Sequence, residues 1–195
     1  MRTAIRFSKR GFTLIELMIV VAIVGILAVL AIYGVRKYIA NAKTAEAKNS
    51  LGQIGKDAQT AYEKDSMAGA VLAPGGVTAV TRALCQSATA KVPSAISFVT
   101  GQKYQSNPAI GSDWNTNVAQ NTGFACLKFS MSAPQFYMYN YTSDSSATTP
   151  GTAFTAVANG DLDGNGTLST FTLLGSINNM QLNVSPNILE TNPEE

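Results

Sequence analysis

Gly11-Phe12-Thr13-Leu14-Ile15-Glu16-Leu17-Met18-Ile19-Val20-Val21-Ala22-Ile23-Val24-Gly25-Ile26-Leu27-Ala28-Val29-Leu30-Ala31-Ile32-Tyr33 is the stretch from which the rest of the chain is read. Among these 23 residues one is charged, Glu16. The 17 uncharged residues that follow, 17–33, come close to the roughly 20 that a helix needs to cross a bilayer. An ionised carboxylate in hydrocarbon is costly, so an acid placed there needs a partner and a task. No basic residue inside the run supplies the partner.

The nearest source of positive charge is a new chain end. Residues 1–11 carry Arg2, Arg6, Lys9 and Arg10 and no acid. A cut between Gly11 and Phe12 creates an ammonium four residues before Glu16. On a helix that spacing puts both groups on one face, so in a packed array the amine of one copy can neutralise the acid of its neighbour. Glu16 then fixes the register between copies.

The segment Lys9-Arg10-Gly11-Phe12-Thr13-Leu14-Ile15-Glu16-Leu17 resembles the processing site of type IV pilins and pseudopilins, running into their hydrophobic assembly helix. The resemblance covers about the first 50 residues. It implies cleavage between Gly11 and Phe12 by a prepilin peptidase, N-methylation of Phe12, and alignment of subunits by Glu16. Many major pilins carry a proline where this chain has Tyr33, so melting of the stem on assembly is left open. The helix-weakening residues here are Gly25 and Gly34. Two plainer readings fit the N-terminus less well. A secretory signal has its small-residue cleavage site after the apolar run, and Glu16 is foreign to such a run. A simple membrane anchor leaves Glu16 without a role. Both the anchor and the filament subunit put the basic end in the cytoplasm.

Of 195 residues, 1–11 are read as the cleaved leader, 12–34 as the transmembrane and assembly helix, 35–184 as the globular domain and 185–195 as a flexible tail. The formal charge of +2 belongs largely to the leader, beyond which 10 Lys and Arg face 12 Asp and Glu. Arg82, Lys91, Lys103 and Lys128 are scattered, so no nucleic-acid stripe is expected. The two cysteines, Cys85 and Cys126, follow the apolar run and would meet an oxidising compartment. They are read as a disulfide, with two buried thiols as the alternative.

From residue 35 the apolar positions become periodic: Val35, Tyr38, Ile39, Ala42, then Leu51, Ile54, Ala58, Ala61 and Tyr62. That spacing predicts an amphipathic continuation, giving one helix over about 12–64 with Gly52 and Gly55 on or beside its apolar face. Breakers at 67–69 and 74–76 end it. A short helix over 80–90 carrying Cys85, a strand at 96–99 and a surface loop over 106–122 around Trp114 are expected next. Trp114 either pins that loop or offers a binding surface. Alternation predicts strands at 124–131, 136–141, 152–158 and 168–174, an antiparallel sheet of about four strands with one face on the helix. The row Tyr137, Tyr139 and Tyr141 is assigned to the wetter face, open to solvent or to neighbouring copies.

Asp161-Leu162-Asp163-Gly164-Asn165-Gly166 opens like a calcium loop, with oxygen donors at Asp161, Asp163 and Asn165. Thr172 stands where a bidentate acid is needed, and the same residues make a good turn between strands. With no histidine, Ser-His-Asp, Cys-His and His-based zinc chemistry are unavailable, and no phosphate-binding glycine loop is present. No enzyme is expected.

The combined reading is an α+β, pilin-like fold and a structural subunit of a bacterial type IV pilus. It is inserted in the inner membrane with its domain periplasmic, handled by prepilin peptidase and the pilus assembly machinery, and polymerised with itself into an extracellular filament. No cofactor is required, calcium being the one candidate. The alternatives are a type II secretion pseudopilin, a minor pilin, or a membrane-anchored binding protein that never polymerises. Motility, adhesion and DNA uptake are not separated by these residues.

Overall fold

The computed structural model describes residues 11–64, 66–67, 74–77, 80–144 and 152–194. The expected leader therefore lies outside the described residues except for Gly11, as does most of the expected helix stop at 67–69. Two compact units are present, Met1–Ile39 and Ala40–Glu195.

Helix α1 (Leu14–Glu63) spans 50 residues, close to the predicted bounds. Its side chains change character where the sequence pattern changes. Large apolar residues from Phe12 to Ile39 are exposed, while Ala47, Leu51, Ile54, Ala58 and Tyr62 are buried. The buried set recurs every three or four residues, the stripe of an amphipathic helix lying on a core.

That core is closed by a five-stranded antiparallel sheet of β3 (Met138–Ser143), β4 (Thr152–Gly160), β5 (Ser169–Asn178), β6 (Gln181–Val184) and β7 (Leu189–Thr191). A separate two-stranded ribbon pairs β1 (Ser66–Met67) with β2 (Val80–Thr81). The order in the main sheet is β3-β4-β5-β6, with β7 also pairing to β5. Along β5, Ser169, Phe171, Leu173, Gly175 and Ile177 are buried and alternate with half-buried residues, as the period of two requires. Gly55 gives the sheet room against α1, since a Cβ there would stand 2.9 Å from Leu173 Cδ2 and 3.1 Å from Val184 Cγ1.

The tyrosine row is a correction. Tyr137, Tyr139 and Tyr141 are all fully buried and form part of the core. Size complementarity across the sheet explains it. Tyr139 and Tyr141 pair with Ala158 and Ala156, and a Cβ on Gly160 would come within 2.7 Å of the Tyr137 ring. Small residues on β4 leave room for the three rings, and Phe171 meets Tyr137 edge-on at 5.6 Å. In the same way Phe154 lies over its partner Gly175, where a Cβ would be 2.0 Å from the ring.

Four further expectations are overturned. Residues 82–88, with Cys85, form no helix, and only β2 within 80–90 is regular. The expected strand at 124–131 is instead a short helix, α2 (Gly123–Leu127), with Cys126 on it. Its buried Phe124 and Leu127 are three apart, and Lys128 ends it in the left-handed conformation at φ 60°. Residues 96–99 form a 3-10 turn, Ile96–Phe98, rather than a strand. The supposed tail carries β7, whose Glu190 pairs with Phe171 on β5 and reaches Lys48 Nζ at 2.8 Å. A segment with two prolines and three acids gave no strand pattern, yet the open edge of β5 supplied the hydrogen bonds that hold it.

Trp114 pins its loop. It sits in the 3-10 turn Asp113–Asn115, is 4% exposed, and meets Phe124 and Phe129 edge-on at 4.9 and 5.2 Å. Asp113 Oδ2 fastens the turn by accepting from Tyr104 Oη at 2.8 Å and from the Asn107 amide at 2.6 Å.

Candidate functional site: the N-terminus of the assembly helix

Phe12 and Thr13 precede the helix and Glu16 lies in its first turn. The Thr13 amide donates to Glu16 Oε2 at 2.8 Å, and the Thr13 hydroxyl donates to the same oxygen at 2.7 Å. In return the Glu16 amide donates to Thr13 Oγ1 at 3.3 Å. This is a capping box: the first-turn amides that lack intrahelical partners are served by side chains, and the acid sits at the positive end of the helix dipole.

Thr13 was not among the residues singled out from the sequence. The pattern Thr13-Leu14-Ile15-Glu16 carried the signal, because Ser or Thr three residues before Glu at the start of an apolar run marks such a box. Its amide belongs to the Phe12–Thr13 peptide, so a cut before Phe12 leaves the box intact. Both side-chain bonds end on Oε2, and Oε1 lies outside the box. Phe12 is 86% exposed, leaving the residue that would become the new terminus open to a neighbour.

Farther along α1, Glu46 ties the helix to the sheet. Its Oε1 accepts from the Phe136 amide at 2.9 Å and from Tyr139 Oη at 3.3 Å. Lys43 and Lys103 lie against the Phe136 ring at 4.9 and 4.6 Å. Burial pushes the Glu46 carboxyl above its ordinary 4.5, outweighing the opposing pull of these hydrogen bonds and of Lys103. The folded chain thus holds that proton more tightly than the unfolded one. Its stabilising contribution is full below the ordinary value and is lost as pH rises through the folded value. In detergent melts, the wild-type melting temperature relative to Glu46→Gln should fall as pH rises above the ordinary carboxylate range. A flat difference would contradict the shift.

Cys85 and Cys126 are joined as a disulfide across 41 residues, with Cα atoms 5.7 Å apart. At the calcium-like loop, Asp161 is buried and receives the amides of Gly164 at 2.8 Å and Gly166 at 3.1 Å. Asp163 receives the Asn165 amide and side chain, and Asn165 Oδ1 receives the Thr167 amide. These oxygens close the turn between β4 and β5. Among the described residues no group of three or more His, Cys, Asp or Glu is placed to hold a metal ion.

The prokaryotic N-terminal methylation motif matches residues 6–32. The type IV major pilin protein PilA of Myxococcus xanthus is 64% identical over 43 residues, which are 22% of this chain and 20% of that protein. The type IV major fimbrial protein FimA of Dichelobacter nodosus is 52% identical over 46 residues, 24% of this chain and 30% of its own length. A fimbrial protein of Moraxella nonliquefaciens is 58% identical over 40 residues, 20% of this chain and 26% of its own length. The similarity thus spans less than a third of these relatives. No solved structure matches the chain. With the methylation motif at its head, likeness to type IV major pilins over about a fifth of its length, and a long N-terminal helix whose amphipathic half packs on an antiparallel sheet, the chain is similar to type IV pilins in its N-terminal stem.

Proposed function

We propose that this chain is a structural subunit of a type IV pilus, made as an inner-membrane precursor with its domain on the periplasmic side. A prepilin peptidase cuts it between Gly11 and Phe12, Phe12 is N-methylated, and the apolar half of α1 polymerises it into a surface filament. The observation that carries the reading is a single acid, Glu16, four residues after an exposed Phe12 and in the first turn of a helix that bears no other charge until Arg36. Exposure of every large apolar side chain from Phe12 to Ile39 supports it, since so much hydrocarbon surface requires lipid or other stems to cover it. No cofactor enters the reading, and calcium at Asp161, Asp163 and Asn165 has no part in it.

The test is electron microscopy of filaments sheared from cells, with mass spectrometry of their subunit. Long filaments of a chain that begins at methylated Phe12 are expected. A processed subunit retained in the periplasm would instead indicate a secretion pseudopilin. A chain that keeps Met1 and forms no filament would indicate a membrane-anchored binding protein.

A further inference from the structure

Nineteen uncharged residues, 17–35, follow Glu16, and then two cations arrive together, Arg36 and Lys37. Two tyrosines bracket them. Tyr33 is 69% exposed and Tyr38 is 75% exposed, although both lie within α1. On a helix, residues three and four apart share a face, so Tyr33, Arg36 and Lys37 form one patch with Tyr38 beside it. Exposed tyrosine rings next to long cationic side chains at the end of an apolar run are the composition that settles at a membrane–water interface.

We infer that Tyr33, Arg36, Lys37 and Tyr38 dock the far end of the stem on anionic phospholipid headgroups, and that this belt sets the depth at which the N-terminus sits. The inference rests on the membrane-inserted precursor proposed above. Helix rise supplies the measure. From Tyr33 back to Glu16 is about 26 Å, and back to Phe12 about 32 Å, against a hydrocarbon thickness of about 30 Å. With the belt at one headgroup layer, Glu16 lies just inside the opposite boundary and the Gly11–Phe12 bond lies at the opposite surface, within reach of water and of a peptidase. Charge complementarity selects the occupant. Each cation near an anionic surface is attracted to it, while a tyrosine ring gains little deeper in hydrocarbon.

The test uses the full-length precursor carrying Tyr33→Trp. It is reconstituted in vesicles of phosphatidylethanolamine and phosphatidylglycerol, with lipids brominated at different depths as quenchers. Trp114 is buried in the globular unit and gives a constant background. Strongest quenching is expected from bromines nearest the headgroups. Adding Arg36→Gln and Lys37→Gln should move the maximum inward by roughly 5 Å, one helical turn. If the chain floats with the vesicles but the depth at position 33 is central, or is unmoved by losing both cations, the belt is refuted while membrane insertion stands. A chain that fails to float removes the precursor reading and the belt with it.

Discussion

Glu16→Ala is expected to leave the precursor in the membrane and its leader removed, yet to eliminate filaments. Insertion depends on the apolar run, which the substitution lengthens. The leader and Gly11 are untouched. In the proposed assembly, what disappears is the acceptor for the Phe12 ammonium of the adjoining copy, and a buried ammonium without a partner is strongly disfavoured. Because the contact recurs at each added subunit, its loss compounds along the polymer, so absence of filaments is expected rather than a modest reduction. Membrane flotation, N-terminal mass and negative-stain microscopy of the same strain separate the three steps. Normal filaments in the variant would contradict the register role.

Removing the disulfide is the second large effect. Cys85→Ser with Cys126→Ser opens a link across 41 residues, which the chain-entropy model values at about 4 kcal/mol. The bridge does more than shorten the unfolded chain. It fastens the irregular segment 82–88, which has no ladder of its own, to α2. The Cys85 carbonyl accepts from Tyr141 Oη at 3.3 Å and from Ser143 Oγ, so the same segment supports the buried tyrosine row. In detergent, melting should drop by roughly 10 °C. A reductant should reproduce that drop in the wild type and leave the double variant unchanged. A shift within about 2 °C would show that packing alone holds the segment.

The long helix was legible because its signal accumulates over 50 residues and its two halves differ in kind, one uniformly apolar and one periodic. The strands β4 and β5 were legible for a similar reason, since each alternates over a long run bounded by turn residues. Short elements were not. In 124–131 four helical residues and an irregular stretch sum to an apparent alternation, and only tertiary contacts through Trp114 and Cys85 decide between them. The tyrosines misled because a hydroxyl reads as polar, whereas Tyr139 and Tyr141 bury their rings against alanines and satisfy their hydroxyls on Glu46 and the Cys85 carbonyl. The small residues that accommodate those rings stand about 20 residues away on β4, where no local pattern connects them to the row. At the N-terminus the acid was evident from its isolation, while its partner Thr13 required recognising that four residues close a box.

The most direct measurement is the filament structure by electron microscopy at a resolution that shows side chains. A chain starting at Phe12, with its amine within about 4 Å of the Glu16 carboxylate of an adjacent copy, is the predicted result. A filament in which residues 1–11 remain attached, or in which no neighbouring amine approaches Glu16, would contradict it.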